Sequence, residues 1–307
     1  MSAVDLSVKL GALTLKNPVM TASGTFGWGH EYAKLADLTR LGAIVVKATT
    51  LRPRPGNKPP RVTETAAGML NAIGLQNPGV EKVIKEKLPT LRRFGPPIIV
   101  NIAGDSLDDY AQVATRLTES RLVDALEINA SCPNCEEGGM LFGLDPGMLS
   151  ELVHAVRVAT DLPLITKLSP NVTDIVPLAR AAVAAGSDAL SLINTLIGLA
   201  IDVERRAPKL GNITGGLSGP AIRPVAVRMV WQVAAAHPGV PIIGMGGIMC
   251  GKDALEFILA GANAVAVGTA SFVEPSTCNT VLDEIETYCL RHGVASLQEL
   301  VGAARSD

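Results

Sequence analysis

PIIGMGGIMCGKDALEFILAGANAVAVGT, residues 241–269, decides the fold. PIIGMG (241–246) and AVAVGT (264–269) are short, nearly continuous apolar runs. Between them, 252–260 reads as a helix closed by Gly261, the residue type that ends helices in a left-handed conformation. A strand, a crossover helix and a second strand of this length form a parallel βαβ unit. Apolarity without alternation marks strands covered on both faces, as parallel strands are.

The same unit recurs outward along the chain. The other runs are PVMTAS (18–23), AIVVKA (43–48), PIIVNI (97–102), ALEINA (125–130), PLITKL (163–168) and ALSLIN (189–194). Helical segments separate them. In 145–160, Asp145 is a plausible N-cap, Pro146 suits the first helical position, and Leu149, Leu152, Val153 and Val156 share one face. Segment 172–185 ends at Gly186. Eight strand–helix units predict a closed α/β barrel, (β/α)₈, within one domain spanning 1–307, in preference to an open doubly wound sheet.

Residues 6–16 read as a β-hairpin turning at Gly11 and plugging the barrel bottom. Long loops are expected after strand two (49–78), after strand four and after strand six (195–222). All follow strand C-termini, the face that carries active sites in such barrels.

Composition narrows the function. The chain has 307 residues, 18% charged and 3% aromatic, with a net charge of −2, so neither a basic field nor stacking rings point to nucleic acid. Asp5 interrupts the start and no stretch of about 18 apolar residues follows, so neither a signal peptide nor a membrane span is expected. The five cysteines are an odd count and suit a reducing cytoplasm.

The sharpest motif is NASCPN, 129–134, after strand four. Cys132 there could serve as a base, a nucleophile or a metal ligand, and the amides could hold a planar polar ring. Cys132 and Cys135 form C-x-x-C, which leaves a redox dithiol or half a zinc site open. No second ligand pair lies nearby and the four histidines show no ligand spacing, so no metal is expected. Cys250, Cys278 and Cys289 read as packing residues. Gly246-Gly247 and Gly268-Thr269, at the ends of strands seven and eight, are the natural place for a phosphate. No G-x-G-x-x-G fingerprint opens a helix after the first strand. Lys47 and Lys167 lie inside strands, where an interior charge calls for an anionic ligand, a flavin, a Schiff base or an ion pair with an acid such as Glu127. NAIGLQNPG (71–79), Asn101 and Asn194 add neutral hydrogen-bonding groups.

Taken in order, NPVMTASGTFG (17–27), KATTLRPRPGNKPPR (47–61), MLNAIGLQNPG (69–79), INASCPN (128–134), SLINT (191–195), GLSGP (216–220), GMGGI (244–248) and AVGTA (266–270) resemble the catalytic subunit of class 1B dihydroorotate dehydrogenases over essentially the whole chain. The resemblance implies a flavin mononucleotide (FMN) barrel that oxidises (S)-dihydroorotate to orotate in pyrimidine biosynthesis. By it, Ser23, Lys47, Ala48, Asn101, Asn129, Lys167, Ile193, Gly219, Gly246, Gly247, Gly268 and Thr269 match flavin-contacting positions. Lys47, Asn71, Ala72, Ile73, Gly74, Leu75, Asn129, Asn194 and Thr195 match the substrate site. Cys132 matches the catalytic base, removing the C5 proton while hydride passes from C6 to flavin N5.

The resemblance also implies a partner subunit carrying FAD and a 2Fe–2S cluster that passes electrons to NAD+. A homodimer of catalytic chains within a heterotetramer follows from it, in the cytoplasm and away from membranes. Class 2 relatives, which are membrane-bound, carry serine at the position of Cys132. GTFGWG (24–29) and LRPRPGNKPPR (51–61) look more like type B than like the fumarate-linked class 1A. Cys135 departs from the pattern, which has an aliphatic residue there. Rival readings are another flavin-dependent pyrimidine oxidoreductase, a Schiff-base aldolase using Lys167, and a non-enzymatic barrel.

Overall fold

A computed structural model describes residues 4–130 and 142–305. Eight parallel strands form one sheet: β1 (Val19–Thr21), β2 (Ile44–Thr49), β3 (Ile98–Ile102), β4 (Ala125–Asn129), β5 (Leu164–Lys167), β6 (Ala189–Leu192), β7 (Ile242–Met245) and β8 (Ala264–Val267). Each pairs with its sequence neighbour, and β8 returns to β1 through Ala266↔Met20. The seam between β1 and β2 is the thinnest. A single bridge, Met20↔Ala43, joins them. The Thr21 hydroxyl reinforces it, accepting from Val45 N at 2.9 Å and donating to Val45 O at 3.0 Å. With that seam joined, the sheet is the expected barrel.

The observed strands start one residue after the prolines that open four of the apolar runs. Proline has no N–H to give to a ladder, but its carbonyl still accepts. Pro18, Pro97, Pro163 and Pro241 each take an N–H from the adjacent strand, from Val265, Ile44, Leu126 and Leu190 respectively, at 2.9–3.0 Å. At the other end, six of the eight runs overshoot their strands. Ser23, Ile193, Asn194, Gly246, Gly268 and Thr269 therefore lie past the C-terminal strand ends, at the barrel mouth.

The helix Pro146–Ala159 follows its sequence signals closely. Asp145 accepts from Met148 N at 2.9 Å, and Leu149, Leu152, Val153 and Val156 are buried against the sheet. Segment 172–185 narrows to a helix at Val176–Ala184. Segment 252–260 is the helix Gly251–Ala260, ended by Gly261 at φ 123°. The hairpin pairs Val8–Leu10 with Leu13–Leu15 and turns at Gly11, φ 59°. Its tip packs on Asp188, the residue before β6, so it lies under the N-terminal end of the barrel as expected.

The insertions after β2 and β6 are not independent loops, which corrects the reading from sequence. Val62–Thr65, Gly68–Asn71, Thr214–Ser218 and Leu196–Leu199 form one antiparallel sheet drawn from both insertions. Glycines at 68, 198, 215 and 216 hid these strands, because glycine weighs against strand structure in a single sequence. The loop expected after β4 falls on residues 131–141, outside the described residues.

Candidate active site at the barrel mouth

Lys167 ends β5, in register with Asn129 of β4 and Ser191 of β6. It is only 6% exposed, and its Nζ lies 3.3 Å from Ser23 Oγ. Ser23 follows β1, the strand opposite β5 in an eight-stranded barrel, so the lysine reaches across the interior. The ion pair with Glu127 that the sequence left open does not form. Both Glu127 oxygens are engaged by neutral groups, Oε2 by Asn101 Nδ2 at 2.6 Å and Oε1 by Ser191 Oγ at 2.8 Å. Among the described residues neither Lys167 nor Lys47 forms a salt bridge. An interior ammonium without a counter-ion is costly, so the mouth favours an anionic or electron-rich ligand.

Lys47, near the end of β2, is half-buried. Burial holds its ammonium below the usual lysine value, the Arg61 cation lowers it further, and Glu31 partly offsets both. The expected substrate segment Asn71–Leu75 crosses the same mouth. Asn71 Nδ2 donates to Gly216 O at 3.3 Å. Ala72 N donates to Arg61 O at 2.8 Å. Asn57 holds the next two carbonyls, donating from Nδ2 to Ala72 O and from its backbone N to Ile73 O, each at 3.0 Å. Gly74 and Leu75 turn through positive φ, 73° and 54°, and Asn77 Nδ2 closes the turn on Leu75 O at 2.8 Å. Asn77 belongs to the amide-rich 71–79 segment noted in the sequence, whereas Asn57 was not singled out, because an asparagine in a Pro/Gly-rich loop is ordinary. Asn194 Nδ2 meets Asn129 Oδ1 at 3.4 Å, and its own Oδ1 accepts from Thr195 N at 2.8 Å. Thr195 packs against Gly216, and so beside Asn71.

The glycines gather where β7 and β8 end. Gly247 (φ 76°) backs onto the Gly219 carbonyl, and Thr269 Oγ1 meets Ser218 Oγ at 2.7 Å. Ser218 is a further polar group that sequence reasoning passed over. Gly268 is different in kind: a Cβ there would meet nothing closer than Ala22 Cβ at 3.5 Å. This cradle has room for a ligand. Ile193 is buried beside Gly246, and Ala48 and Ser23 are buried at the ends of β2 and β1. Asn101 is wholly buried, yet its Oδ1 has no hydrogen-bond partner among the described residues. An unmet buried acceptor is rare and costly. These features fit a flavin nucleotide: a glycine-lined end for its phosphate, an acceptor for its hydroxyl or N–H groups, and a buried cation for its ring.

Cys132 and Cys135 lie outside the described residues. The flanks of their segment share one anchor. The Tyr110 hydroxyl donates to Asn129 O at 2.7 Å, and its ring meets Phe142 edge-on with centroids 6.2 Å apart. Cys278 and Cys289 are core residues as expected, and burial pushes the Cys278 thiol up to about 12. Cys250 is only half-buried, preceding the helix Gly251–Ala260. The described residues contain no cluster of potential metal ligands, and no helix among them is long and apolar enough to cross a membrane.

Comparison with known proteins agrees with this geometry. The dihydroorotate dehydrogenase family model matches residues 5–289. The "Dihydroorotate dehydrogenase B (NAD(+)), catalytic subunit" of Desulforudis audaxviator is 59% identical over 301 residues, covering 98% of each chain. The protein of the same name from Geotalea uraniireducens is 56% identical, covering 99% of each. Among solved structures, a DHODH from Eimeria tenella in complex with ferulenol superposes with a TM-score of 0.83 at 26% identity, over 99% of this chain and 89% of that one. Matched nearly end to end in sequence and in fold, the chain belongs to the dihydroorotate dehydrogenase family.

Proposed function

We propose that the chain is the catalytic subunit of an NAD-linked, class 1B dihydroorotate dehydrogenase, a cytoplasmic enzyme that oxidises (S)-dihydroorotate to orotate for pyrimidine synthesis. The near end-to-end match to relatives bearing that name carries the reading. FMN, when bound, supplies the acceptor for the hydride that leaves substrate C6. Ser23, Ala48, Asn101, Asn129, Ile193 and the glycine cradle of Gly219, Gly246, Gly247, Gly268 and Thr269 would hold it. Lys47, Asn71–Leu75, Asn129, Asn194 and Thr195 orient the substrate, with Lys47 meeting its carboxylate. Cys132, as thiolate, takes the proton at C5. Lys167 contributes fixed positive charge in a buried site, where charge is least screened.

Lys47 gives this reading a pH signature. An anionic substrate needs the protonated ammonium, and burial has lowered the pH at which that proton leaves. Orotate affinity is therefore expected to fall as pH rises, beginning below the usual lysine value of about 10.4. Titration of bound flavin with orotate across pH checks this. A Lys47→Met variant should bind weakly throughout, without the alkaline fall.

Electrons must leave through a partner, for which an iron–sulfur flavoprotein with FAD and a 2Fe–2S cluster is the fitting class. The chain offers no nicotinamide fingerprint and no group of four cysteines close in sequence. The purified chain is expected to bleach its own flavin with dihydroorotate anaerobically, yet to form NADH only when the partner is added. Fast NADH formation by the pure chain would overturn the proposed electron path, and absence of bleaching would overturn the proposed activity.

The catalytic chains are proposed to pair as a two-fold dimer within the heterotetramer. Ile197, Leu199, Ile201, Val203 and Ile213, all 49–76% exposed, put an apolar surface on the insertion after β6. Such a patch commonly marks an interface. An Ile197→Asp/Ile213→Asp variant should run as a monomer in light scattering at a concentration where the parent chain is dimeric.

A further inference from the structure

The acid in the barrel interior has no task in the chemistry above. Glu127 is 2% exposed and sits on β4 between neutral partners, Asn101 of β3 and Ser191 of β6. The bond to Ser191 skips the intervening strand β5, which only an inward-facing pair can do. A carboxylate can only accept, so Asn101 must turn its Nδ2 toward Glu127, and it does so at 2.6 Å. That leaves Oδ1 as the group Asn101 has to offer, and Oδ1 is the buried atom without a partner among the described residues. Without Glu127, nothing in this network would choose between the two orientations of the amide.

We propose that Glu127 is a positioning residue: held by Ser191, it fixes the amide of Asn101 so that the site presents an acceptor, not a donor, to the flavin. The inference rests on the proposed FMN binding. It makes Glu127 important for its accept-only polarity: Gln carries a donor as well as an acceptor, so it keeps the packing but permits either orientation of the Asn101 amide and should replace Glu127 only in part.

The test is a double-mutant cycle on FMN affinity, titrating FMN onto the flavin-stripped full chain and following flavin fluorescence. Glu127→Leu should weaken binding by about tenfold, the scale of one hydrogen bond. Glu127→Gln should weaken binding less than Glu127→Leu. On an Asn101→Ala background Glu127→Leu should change affinity less than about twofold, because the group it acts through is gone. An equal loss in both backgrounds, or no loss with Leu, overturns the proposal. Should Glu127→Leu fail to fold by circular dichroism, Ser191→Ala takes its place in the cycle. It is expected to weaken FMN by about threefold in the parent and not in Asn101→Ala, and equal effects in the two backgrounds would count against the proposal. Failure of the unmodified chain to bind FMN would instead refute the cofactor reading beneath it.

Discussion

The Cys132→Ser variant is expected to lose dihydroorotate oxidation at pH 7 by about 10²–10⁴-fold, the usual worth of a general base, while keeping its flavin. An ordinary thiol ionises near pH 8.5, so a thiol can act as an unassisted base near neutral pH. A serine hydroxyl is far less acidic and needs a second base, and no histidine or carboxylate occurs within NASCPN, residues 129–134, to serve as one. The loss should appear in the flavin-bleaching phase of an anaerobic stopped-flow trace. The residual rate should climb with pH. Bleaching at the parent rate at pH 7 would remove Cys132 from the role of base. Cys135→Val is the control, expected to retain most activity. If it were as damaging as Cys132→Ser, the C-x-x-C pair would be acting together.

Gly268→Val is expected to weaken FMN binding on the order of 100-fold, the worth of one or two charge-assisted hydrogen bonds, with the apoprotein folded. The structure selects this position over Gly247. At Gly247 a Cβ would stand 2.7 Å from the Gly219 carbonyl and 3.0 Å from Pro220 Cα, with φ at 76°, so any side chain strains the backbone itself. Gly247→Val would therefore destabilise the fold as well as the site, and a lost cofactor would have two explanations. At Gly268 the φ is unexceptional and the nearest atom to a Cβ is 3.5 Å away. What a side chain there displaces is the room beside the chain, which the proposed cofactor uses. Circular dichroism and flavin content on one sample decide it. A folded Gly268→Val protein with full flavin would refute the phosphate cradle.

The barrel was legible from sequence because its signals are local. A strand covered on both faces must be apolar at nearly every position, so IVVKA or PIIVNI declares itself within six residues. Asp145, Pro146 and the Leu149, Leu152, Val153 and Val156 face delimit a helix within four turns for the same reason. Strand ends then placed Ser23, Lys47, Lys167, Asn194 and Gly268 at one mouth, since every parallel strand of a barrel points the same way.

What only the tertiary structure decided depends on partners far apart in the chain. The two insertions become one sheet through pairs such as Asn71 and Gly216, 145 residues apart, and no local pattern encodes that pairing. Lys167 faces Ser23 and not Glu127, whose carboxylate oxygens meet Asn101 and Ser191. Tyr110, an unremarkable helix residue in sequence, ties both flanks of the Cys132 segment. A residue type states which hydrogen bonds it can make, and the sequence by itself determined that inventory along with the local elements. Which donor meets which acceptor, and which acceptor is left for a ligand as Asn101 Oδ1 is, was decided only when the barrel closed and brought β3, β4 and β6 around one interior.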